Sequence, residues 1–421
     1  PRAAMNPRKQ KILFVGEAVT LAHVGRPYTL AAALPASDYD IHLAAAPRFD
    51  YLYQREDIHY HPLITKSCED FLHAVDNGKA LYRREEIIAY AEEELRLIER
   101  LDPDIIVGDF RHSLGISAAL SGKPLINLIN AYWSPHRRPE PLPVPELAKI
   151  NLHRLPVMTP LMRWITPLAT RLLARSLNRA RAHYGLAPFA NCFEAWSHGD
   201  QVLYYDSPEL VPLGPLPTHH HYLGPVTWSP GGPLPDWWPQ LQDRPTVYLS
   251  LGSSGNLALL PTLIDQLLGE GLQVIASTGR RQRLPQRSGL FSADFLPGEA
   301  AAARADLVIC NGGSPTSYQA LQQGRPVIGI PSNMDQLLAM RHIEAYGAGV
   351  TLRRHHIETG RLPPLLRRML SKPSYRQRAQ QLAWHFAATR PHHTFRQVLQ
   401  QFDIQSPAQA KPGSNKERIM P

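Results

Sequence analysis

The chain has 421 residues and a formal net charge of +9 at pH 7, from 45 Lys and Arg against 36 Asp and Glu. A hydrophobic fraction of 43% excludes a mostly disordered chain, and the length suits two domains better than one. Three cysteines without a CxxC spacing exclude a disulfide framework and a cysteine-based zinc site, and no apolar run approaches the ~18 residues of a spanning helix.

Strand and helix patterns alternate along the first half of the chain. Apolar runs at Lys11–Gly16, Asp104–Asp109 and Pro124–Ile129 predict buried strands. Helical patterns follow at Val24–Leu34 and Leu114–Leu120. This alternation predicts a parallel sheet with crossover helices.

A basic stretch follows over residues 131–186, with nine basic and two acidic side chains. Apolar residues there recur at helical spacing, at Leu161, Trp164, Ile165, Leu168, Leu172, Leu173 and Leu177. Arginines stand between them, at Arg163, Arg171, Arg175 and Arg179. We expect a surface helix packed by its leucine face. The alternative is a basic amphipathic helix that lies on an anionic membrane.

Ten prolines in residues 206–245 predict a connector between two domains. Within it, we expect His219–His221 to be a solvated loop and not a metal site. Strand patterns then restart at Thr246–Leu251, Gln273–Ser277, Asp306–Cys310 and Pro326–Ile330. The helical stretch Tyr375–Phe402 closes the chain.

The fold class is therefore α/β, with two doubly wound Rossmann-like domains that face a cleft. We predict an N-terminal acceptor-binding domain at 1–205, the connector at 206–245, a C-terminal donor-binding domain at 246–402 and a flexible tail at 403–421. Residues 1–225 hold 24 basic and 24 acidic side chains, whereas residues 226–421 hold 21 and 12. The whole positive excess lies in the second half, which suggests that this half binds an anion.

The most informative run is Asp306–Gln336. A buried strand ends at Cys310, glycines follow at once, and a helix runs through Tyr318–Gln323. Glycines let a phosphate approach the backbone, and the helix start offers free N–H groups and a positive dipole end. Hydroxyl donors add to this site, at Ser314, Thr316 and Ser317. The carboxylate and amide of Asp335–Gln336 suit a sugar with several hydroxyls.

This run resembles the donor-binding signature of family-one inverting glycosyltransferases, the macrolide and UDP-glucuronosyl type with a GT-B fold. The resemblance extends to Tyr248–Ser253 (YLSLGS), Phe295–Pro297 (FLP) and Leu223–Pro225 (LGP). In the first domain, Ala22–Pro27 (AHVGRP) is similar to the family's histidine motif after the first strand.

The resemblance implies a role for each matched residue. His23 would be the general base, and Asp109 would orient its imidazole and stabilise the imidazolium. The implied donor-binding residues are Gly252, Ser253, Leu296, Asn311, Gly312, Gly313, Ser314, Thr316, Gln319, Asp335 and Gln336. The family needs no metal and no cofactor beyond the nucleotide sugar, because the helix start offsets the charge of the leaving diphosphate.

Four positions depart from the family pattern. Asn311 stands in place of a phosphate-binding histidine, and Pro315 replaces a loop glycine. Gln319 replaces a glutamate that binds both ribose hydroxyls, which is compatible with a deoxyribose donor. Gly298 stands where a glutamine often frames the base.

We therefore expect a metal-independent inverting glycosyltransferase that moves a hexose from a UDP- or dTDP-sugar to a hydroxyl of a hydrophobic small molecule. The segment Tyr132–Leu173 would build much of the acceptor pocket. One alternative is a catalytically degenerate nucleotide-binding or partner protein, and another is a membrane-surface transferase with a lipid acceptor. We expect a cytoplasmic protein that binds no nucleic acid, and leave open a homodimer and peripheral contact with the inner membrane face.

Overall fold

The computed structural model describes residues 8–146, 152–229 and 233–402. The first sheet has seven parallel strands within these residues, in the spatial order β3-β2-β1-β4-β5-β6-β7. Its strands are β1 Gln10–Gly16, β2 Tyr39–Ala45, β3 Ile58–Pro62, β4 Ile105–Asp109, β5 Leu125–Ile129, β6 Gln201–Tyr204 and β7 His220–Tyr222. The helices around it are α1 Ala22–Ala32, α2 Cys68–Asp76, α3 Arg84–Leu101, α4 Leu114–Ser121, α5 Met158–His183 and α6 Cys192–Trp196.

The second sheet repeats this order with six parallel strands in the described part of the chain, as β10-β9-β8-β11-β12-β13. Its strands are β8 Thr246–Ser250, β9 Gln273–Ser277, β10 Leu290–Ala293, β11 Leu307–Cys310, β12 Val327–Gly329 and β13 Gly349–Thr351. The helices of the second half are α7 Leu260–Gly269, α8 Gly298–Arg304, α9 Ser314–Gln322, α10 Met334–Tyr346, α11 Arg354–Glu358, α12 Leu362–Ser371, α13 Pro373–Ala388 and α14 Pro391–Gln400.

In both sheets the strands are parallel, and the order in which they are added reverses at the centre. This switch point lies between β1 and β4 in the first sheet and between β8 and β11 in the second. The central strands are buried on both faces, which is why they read as continuous apolar runs in the sequence. Ligands bind at such reversal points, beyond the carboxyl ends of the strands. The two predicted doubly wound domains are therefore present, each with a site edge of this kind.

The predicted connector needs one change. β7 lies inside it and pairs with β6, so the first sheet continues to Tyr222. Of the three consecutive histidines expected in a solvated loop, His220 is buried in this strand, and its Nδ1 lies 2.6 Å from the Tyr204 hydroxyl. Residue propensities did not predict β7 because a short strand at a sheet edge needs few β-favouring residues.

The predicted closing helix is two helices with different neighbours. α13 packs on α9 of the second domain, whereas Phe395 of α14 lies 5.9 Å from Phe14 of β1, between ring centroids. α14 therefore completes the core of the first domain. The predicted tail at 403–421 lies outside the described residues.

The leucine face of α5 is the third correction. α5 buries a face formed by Met162, Thr166, Thr170, Ala174 and Leu177, of which only Leu177 belongs to the predicted face, and it packs against α3 and α6. Most of the predicted packing face is exposed to solvent, at Leu161, Trp164, Leu168 and Leu172. Among the helices that the structure describes, none combines the length and the apolar composition that a membrane span requires.

Candidate active site

His23 and Asp109 meet at the centre of the first sheet. His23 lies in the first turn of α1, directly after β1, and Asp109 is the last residue of β4. The His23 Nδ1 lies 2.7 Å from Asp109 Oδ1. Gly16 permits this close packing, because a Cβ there would lie 2.5 Å from the His23 carbonyl oxygen.

Asp109 is buried and has three polar partners. Besides His23, Arg26 Nη2 donates to its Oδ1 at 3.2 Å, and the Tyr205 hydroxyl donates to its Oδ2 at 2.8 Å. Burial alone would raise the pKa of Asp109, but the Arg26 guanidinium and His23 outweigh it and hold the pKa below its ordinary value. The carboxylate is therefore charged at neutral pH.

An aromatic wall begins at His23. The Phe110 ring stacks on the imidazole with centroids 4.5 Å apart and an interplanar angle of 12°. Phe110 has a φ of 58°, an uncommon value for a bulky residue, which turns its side chain back over the histidine. Trp196 lies 6.2 Å from Phe110, and Trp133 lies 4.7 Å from Trp196, all between ring centroids.

The loop after β8 forms part of the opposite wall. Gly252 has a φ of 61°, which glycine adopts without strain. Next to it, Ser253 Oγ accepts a hydrogen bond from the Leu21 amide at 3.4 Å and so links the two domains. Arg281 Nη1 donates to the Gly252 carbonyl at 3.0 Å and to the Gly255 carbonyl at 3.3 Å.

The glycines after β11 position the start of α9. Gly312 has a φ of 78°, and a Cβ there would lie 2.5 Å from Met340 Cγ. Asn311 caps the loop internally, since its Oδ1 accepts from the Gly313 amide at 3.1 Å and its Nδ2 donates to Ser254 Oγ at 3.3 Å. Asn311 thus shapes the loop.

The first turn of α9 faces the space between the domains. Ser314 and Thr316 carry amides that have no acceptor within the helix, as at any helix N-terminus. Pro315 lies between them and contributes no N–H. The Ser314 hydroxyl donates to Asn130 Oδ1 of the first domain at 3.2 Å.

Gln319 and Leu296 lie farther along the same wall. Gln319 Nε2 donates to the Trp228 carbonyl at 2.6 Å. A Cβ at Gly298 would lie 2.4 Å from Gln319 Oε1, so glycine at 298 makes room for this amide. The departures at Gly298 and Gln319 are therefore complementary in shape.

Asp335 and Gln336 are adjacent in sequence but differ in their contacts. Asp335 Oδ1 accepts from the Tyr132 hydroxyl at 3.0 Å and from Trp133 Nε1 at 2.8 Å, across the domain boundary. The Gln336 side chain is engaged within its own domain, where Nε2 donates to Ser254 Oγ at 3.1 Å and Oε1 accepts from the Ser332 amide at 2.8 Å. Asp335 lines the cavity, and its Oδ2 has no hydrogen-bond partner among the described residues, whereas the Gln336 side chain joins two loops.

A further interdomain contact lies behind this site. The Tyr318 hydroxyl of α9 donates to Asp206 Oδ1, which also lies near the Asn130 amide. Burial raises the pKa of Asp206 to about 6. These contacts fix the start of α9 against the end of β5.

One cavity of about 1050 Å³ connects these features. All of the predicted site residues line it except Asp109 and Gly312, which stand directly behind it. Its far arm is apolar and is formed largely by the predicted acceptor segment, at Trp133, Leu142, Leu152, Met158, Met162, Ile165, Ala169, Leu172 and Leu173. Within the described residues, no group of three or more His, Cys, Asp or Glu side chains could hold a metal ion.

Sequence reasoning missed several residues of the site. Arg26 was inside a recognised motif, and only the fold reveals that it reaches Asp109. Tyr205 follows a strand end, the position where site residues gather, which was the available signal. Arg281 lies in an arginine-rich stretch with Arg280, Arg283 and Arg287 that no motif marks, yet it lines the cavity.

The fold and the facing walls of this cleft define a GT-B glycosyltransferase. A solved glycosyltransferase, SsfS6 from Streptomyces sp. SF2575, superposes with a TM-score of 0.66 over 93% of this chain and 99% of its own, at 19% identity. Residues 274–400 match the family described as Erythromycin biosynthesis protein CIII-like, C-terminal domain.

Full-length relatives identify the family. A "PGL/p-HBAD biosynthesis glycosyltransferase" of Mycobacterium tuberculosis is 43% identical over 391 residues, which cover 92% of this chain and 91% of the relative. A "PGL/p-HBAD biosynthesis rhamnosyltransferase" of Mycobacterium bovis is 42% identical over 386 residues, or 91% and 86% of the two chains. The chain belongs to the family-one glycosyltransferases, and it is an enzyme of that class.

Proposed function

We propose that the enzyme transfers a hexose from a dTDP- or UDP-sugar to a hydroxyl of a hydrophobic small molecule, with inversion at the anomeric carbon and without a metal. One observation carries the proposal: a single cavity joins the His23 imidazole on one wall to the start of α9 on the other. A base and an anion site that face each other across one space suit direct displacement of a nucleoside diphosphate.

The contacts of His23 support its role as the base. Asp109 Oδ1 lies 2.7 Å from His23 Nδ1, closer than Arg26 Nη2 at 3.2 Å. Nδ1 therefore carries the proton and donates a hydrogen bond to the carboxylate. Nε2 is then free to accept a proton from the acceptor hydroxyl. The charged Asp109 stabilises the imidazolium that forms.

The donor would lie against the second domain. The amides of Ser314 and Thr316 and the hydroxyl of Ser253 supply hydrogen-bond donors for a diphosphate. Arg281 adds a positive charge on the same wall, where Asn311 supplies none. The sugar would extend from the diphosphate toward Asp335, whose Trp133 and Tyr132 partners keep its carboxylate at the domain boundary.

The acceptor would lie against the first domain. Phe110, Trp133 and Trp196 suit a flat ring next to the base, and the arm beyond them suits an aliphatic continuation. The names of the two mycobacterial relatives place them in PGL/p-HBAD biosynthesis, and one is named for rhamnose transfer. Rhamnose is therefore the first sugar to test, with a hydrophobic ring-bearing alcohol or phenol as acceptor.

Two measurements test this function. We expect dTDP or UDP to raise the melting temperature by mass action, since either would bind only the folded protein. The Gln319 side chain favours the larger response from dTDP. With an identified acceptor, His23→Ala should lower kcat by about a hundredfold or more while the nucleotide response is kept.

The matched control is His59→Ala. His59 is an exposed histidine on β3, and it lies outside the cavity lining. Its loss should leave both the rate and the nucleotide response unchanged. Transfer by His23→Ala at the wild-type rate would contradict the base assignment. A melting temperature that no nucleoside diphosphate changes would contradict the donor site.

A further inference from the structure

The outer face of α5 is an apolar stripe exposed to solvent. Val157, Leu161, Trp164, Leu168 and Leu172, here called the outer stripe, follow one another at intervals of three or four residues and so share one face. Each is exposed, with Trp164 at 71% and Leu168 at 60%. A continuous exposed apolar surface of this kind marks a contact site.

The outer stripe is not a core face left open by poor packing. The opposite side of α5 is already buried, with Met162 and Ala174 in the first domain's core. Thr166 Oγ1 accepts from the Leu142 amide at 2.9 Å and ties that side to the preceding segment. Turning the leucines inward would break these contacts, so the stripe is available to another surface.

The charges around the stripe indicate what kind of surface would contact it. α5 carries five arginines and no acidic residue. Arg163, Arg171 and Arg175 are exposed, and no carboxylate pairs with them in the part of the chain that the structure describes. A two-fold contact with a second copy would bring arginines against arginines. An anionic surface is the complementary partner.

The stripe also borders the mouth of the acceptor arm. Leu172 is 53% exposed and lines the cavity, and its neighbours Ala169 and Leu173 line the cavity too. A molecule entering along α5 therefore passes from the outer stripe directly into the apolar arm.

We propose that the outer stripe docks on an anionic lipid bilayer, with Trp164 and Leu168 in the acyl boundary and the arginines at the headgroups. The acceptor then enters the cavity from the lipid phase. This second step rests on the proposed function, whereas docking itself depends only on the stripe and its charges.

Co-sedimentation with vesicles tests the docking. We expect the protein to sediment with phosphatidylcholine vesicles that contain about 30% phosphatidylglycerol at ~0.05 M salt, and to be released at ~0.5 M salt or by pure phosphatidylcholine. Trp164→Glu and Leu168→Glu should each lower the partition coefficient about tenfold or more, since each loses apolar insertion and gains a repelled charge.

The matched control is Trp384→Glu on α13, because Trp384 is 70% exposed and lies outside the cavity lining. It should bind vesicles like the wild type. All three variants should keep the dTDP or UDP thermal shift, so a lost nucleotide response would count against the proposed function and not against docking.

Three results would overturn the docking proposal. The first is no sedimentation of the wild type with anionic vesicles at low salt. The second is an unchanged partition coefficient for Trp164→Glu and Leu168→Glu. The third is a wild-type protein that is a dimer by light scattering and does not bind vesicles, together with a monomeric Trp164→Glu variant. That result would make the stripe an interface between copies.

Discussion

Arg26 determines the electrostatics of the His23–Asp109 pair. Its guanidinium lies over the Tyr205 ring at 4.0 Å, between Cζ and the ring centroid, and it also donates to Asn130 Oδ1 at 2.9 Å. Asp109 therefore has two possible cationic partners: the Arg26 guanidinium, which is always charged, and the His23 imidazolium, which forms only when His23 accepts a proton. The buried guanidinium keeps the carboxylate ionised in both states of the imidazole.

Asp109→Asn tests this arrangement. We expect a fall in kcat of about a hundredfold or more, because the neutral amide stabilises neither the useful tautomer nor the imidazolium. We also expect a loss of about 3 kcal/mol in the free energy of unfolding at pH 7, because Arg26 is left buried without its counter-ion. Urea unfolding and steady-state rates measure the two effects.

The stability difference should depend on pH. The pKa of Asp109 is lower in the folded than in the unfolded protein, where it is about 3.9. Its contribution is thus present above about pH 4 and is lost as pH falls through the lowered pKa of the folded protein, so the stabilities of wild type and Asp109→Asn should converge in acid. Tyr205→Phe is the control, since it removes one hydrogen bond and no charge and should cost only about 1 kcal/mol. A difference that stays constant with pH would contradict the ionised pair.

At the scale of elements, the start of α9 departs most from the family pattern. Pro315 suits the first turn of a helix, because its missing N–H would have no partner there within the helix. The same absence removes one donor from the wall that faces the cavity. The helix start is therefore well formed, but in the proposed donor site it would offer a diphosphate one amide fewer than the family glycine would.

Pro315→Ala should tighten the binding of dTDP or UDP about tenfold, because it restores one hydrogen bond to a charged group. Isothermal titration calorimetry measures the change. Pro315→Gly should show the same gain in affinity but a lower melting temperature, since glycine adds entropy to the unfolded chain. Unchanged affinity in both variants would place the diphosphate away from this turn.

α5 shows what sequence reasoning captured at this scale and what it could not. Its spacing predicts a helix, and the helix is there. Apart from Leu177, the predicted buried residues were wrong, because hydrophobicity ranks leucine above threonine and alanine, whereas the close approach of α3 and α6 favours small residues such as Ala174 and Ala180. A single sequence contains no information on which neighbour is close.

At the scale of the whole molecule, the sequence predicts both sheets but not that the chain crosses between the two domains twice. β1, β4, β8 and β11 follow from apolar runs between turn signals. The return of α14 to the first domain is a long-range contact, which no local pattern encodes. Gly224 marks the crossing, since it has a φ of 91° and a Cβ there would lie 2.5 Å from Thr389. The glycine of the LGP motif therefore lets the two connecting segments pass each other.

α14 should accordingly stabilise the first domain although it follows the second in sequence. Phe395→Ala removes a fully buried ring from the core around Phe14, which should cost about 4 kcal/mol. Hydrogen exchange should show lost protection in β1 and β4 while β8 and β11 keep theirs, because the cavity opens in the first domain's core.

The matched control is Phe386→Ala on α13, nine residues earlier in sequence. Phe386 is also buried, but its ring lies 5.5 Å from that of Tyr318 on α9, between centroids. Its loss should lower protection in the second domain and weaken nucleotide binding through α9, whereas Phe395→Ala should leave the nucleotide affinity of the folded protein unchanged. The two substitutions remove the same side chain from consecutive helices, so only the neighbours of each helix can separate their effects. Identical exchange patterns for both variants would mean that the two domains unfold as one unit and that α14 binds them together.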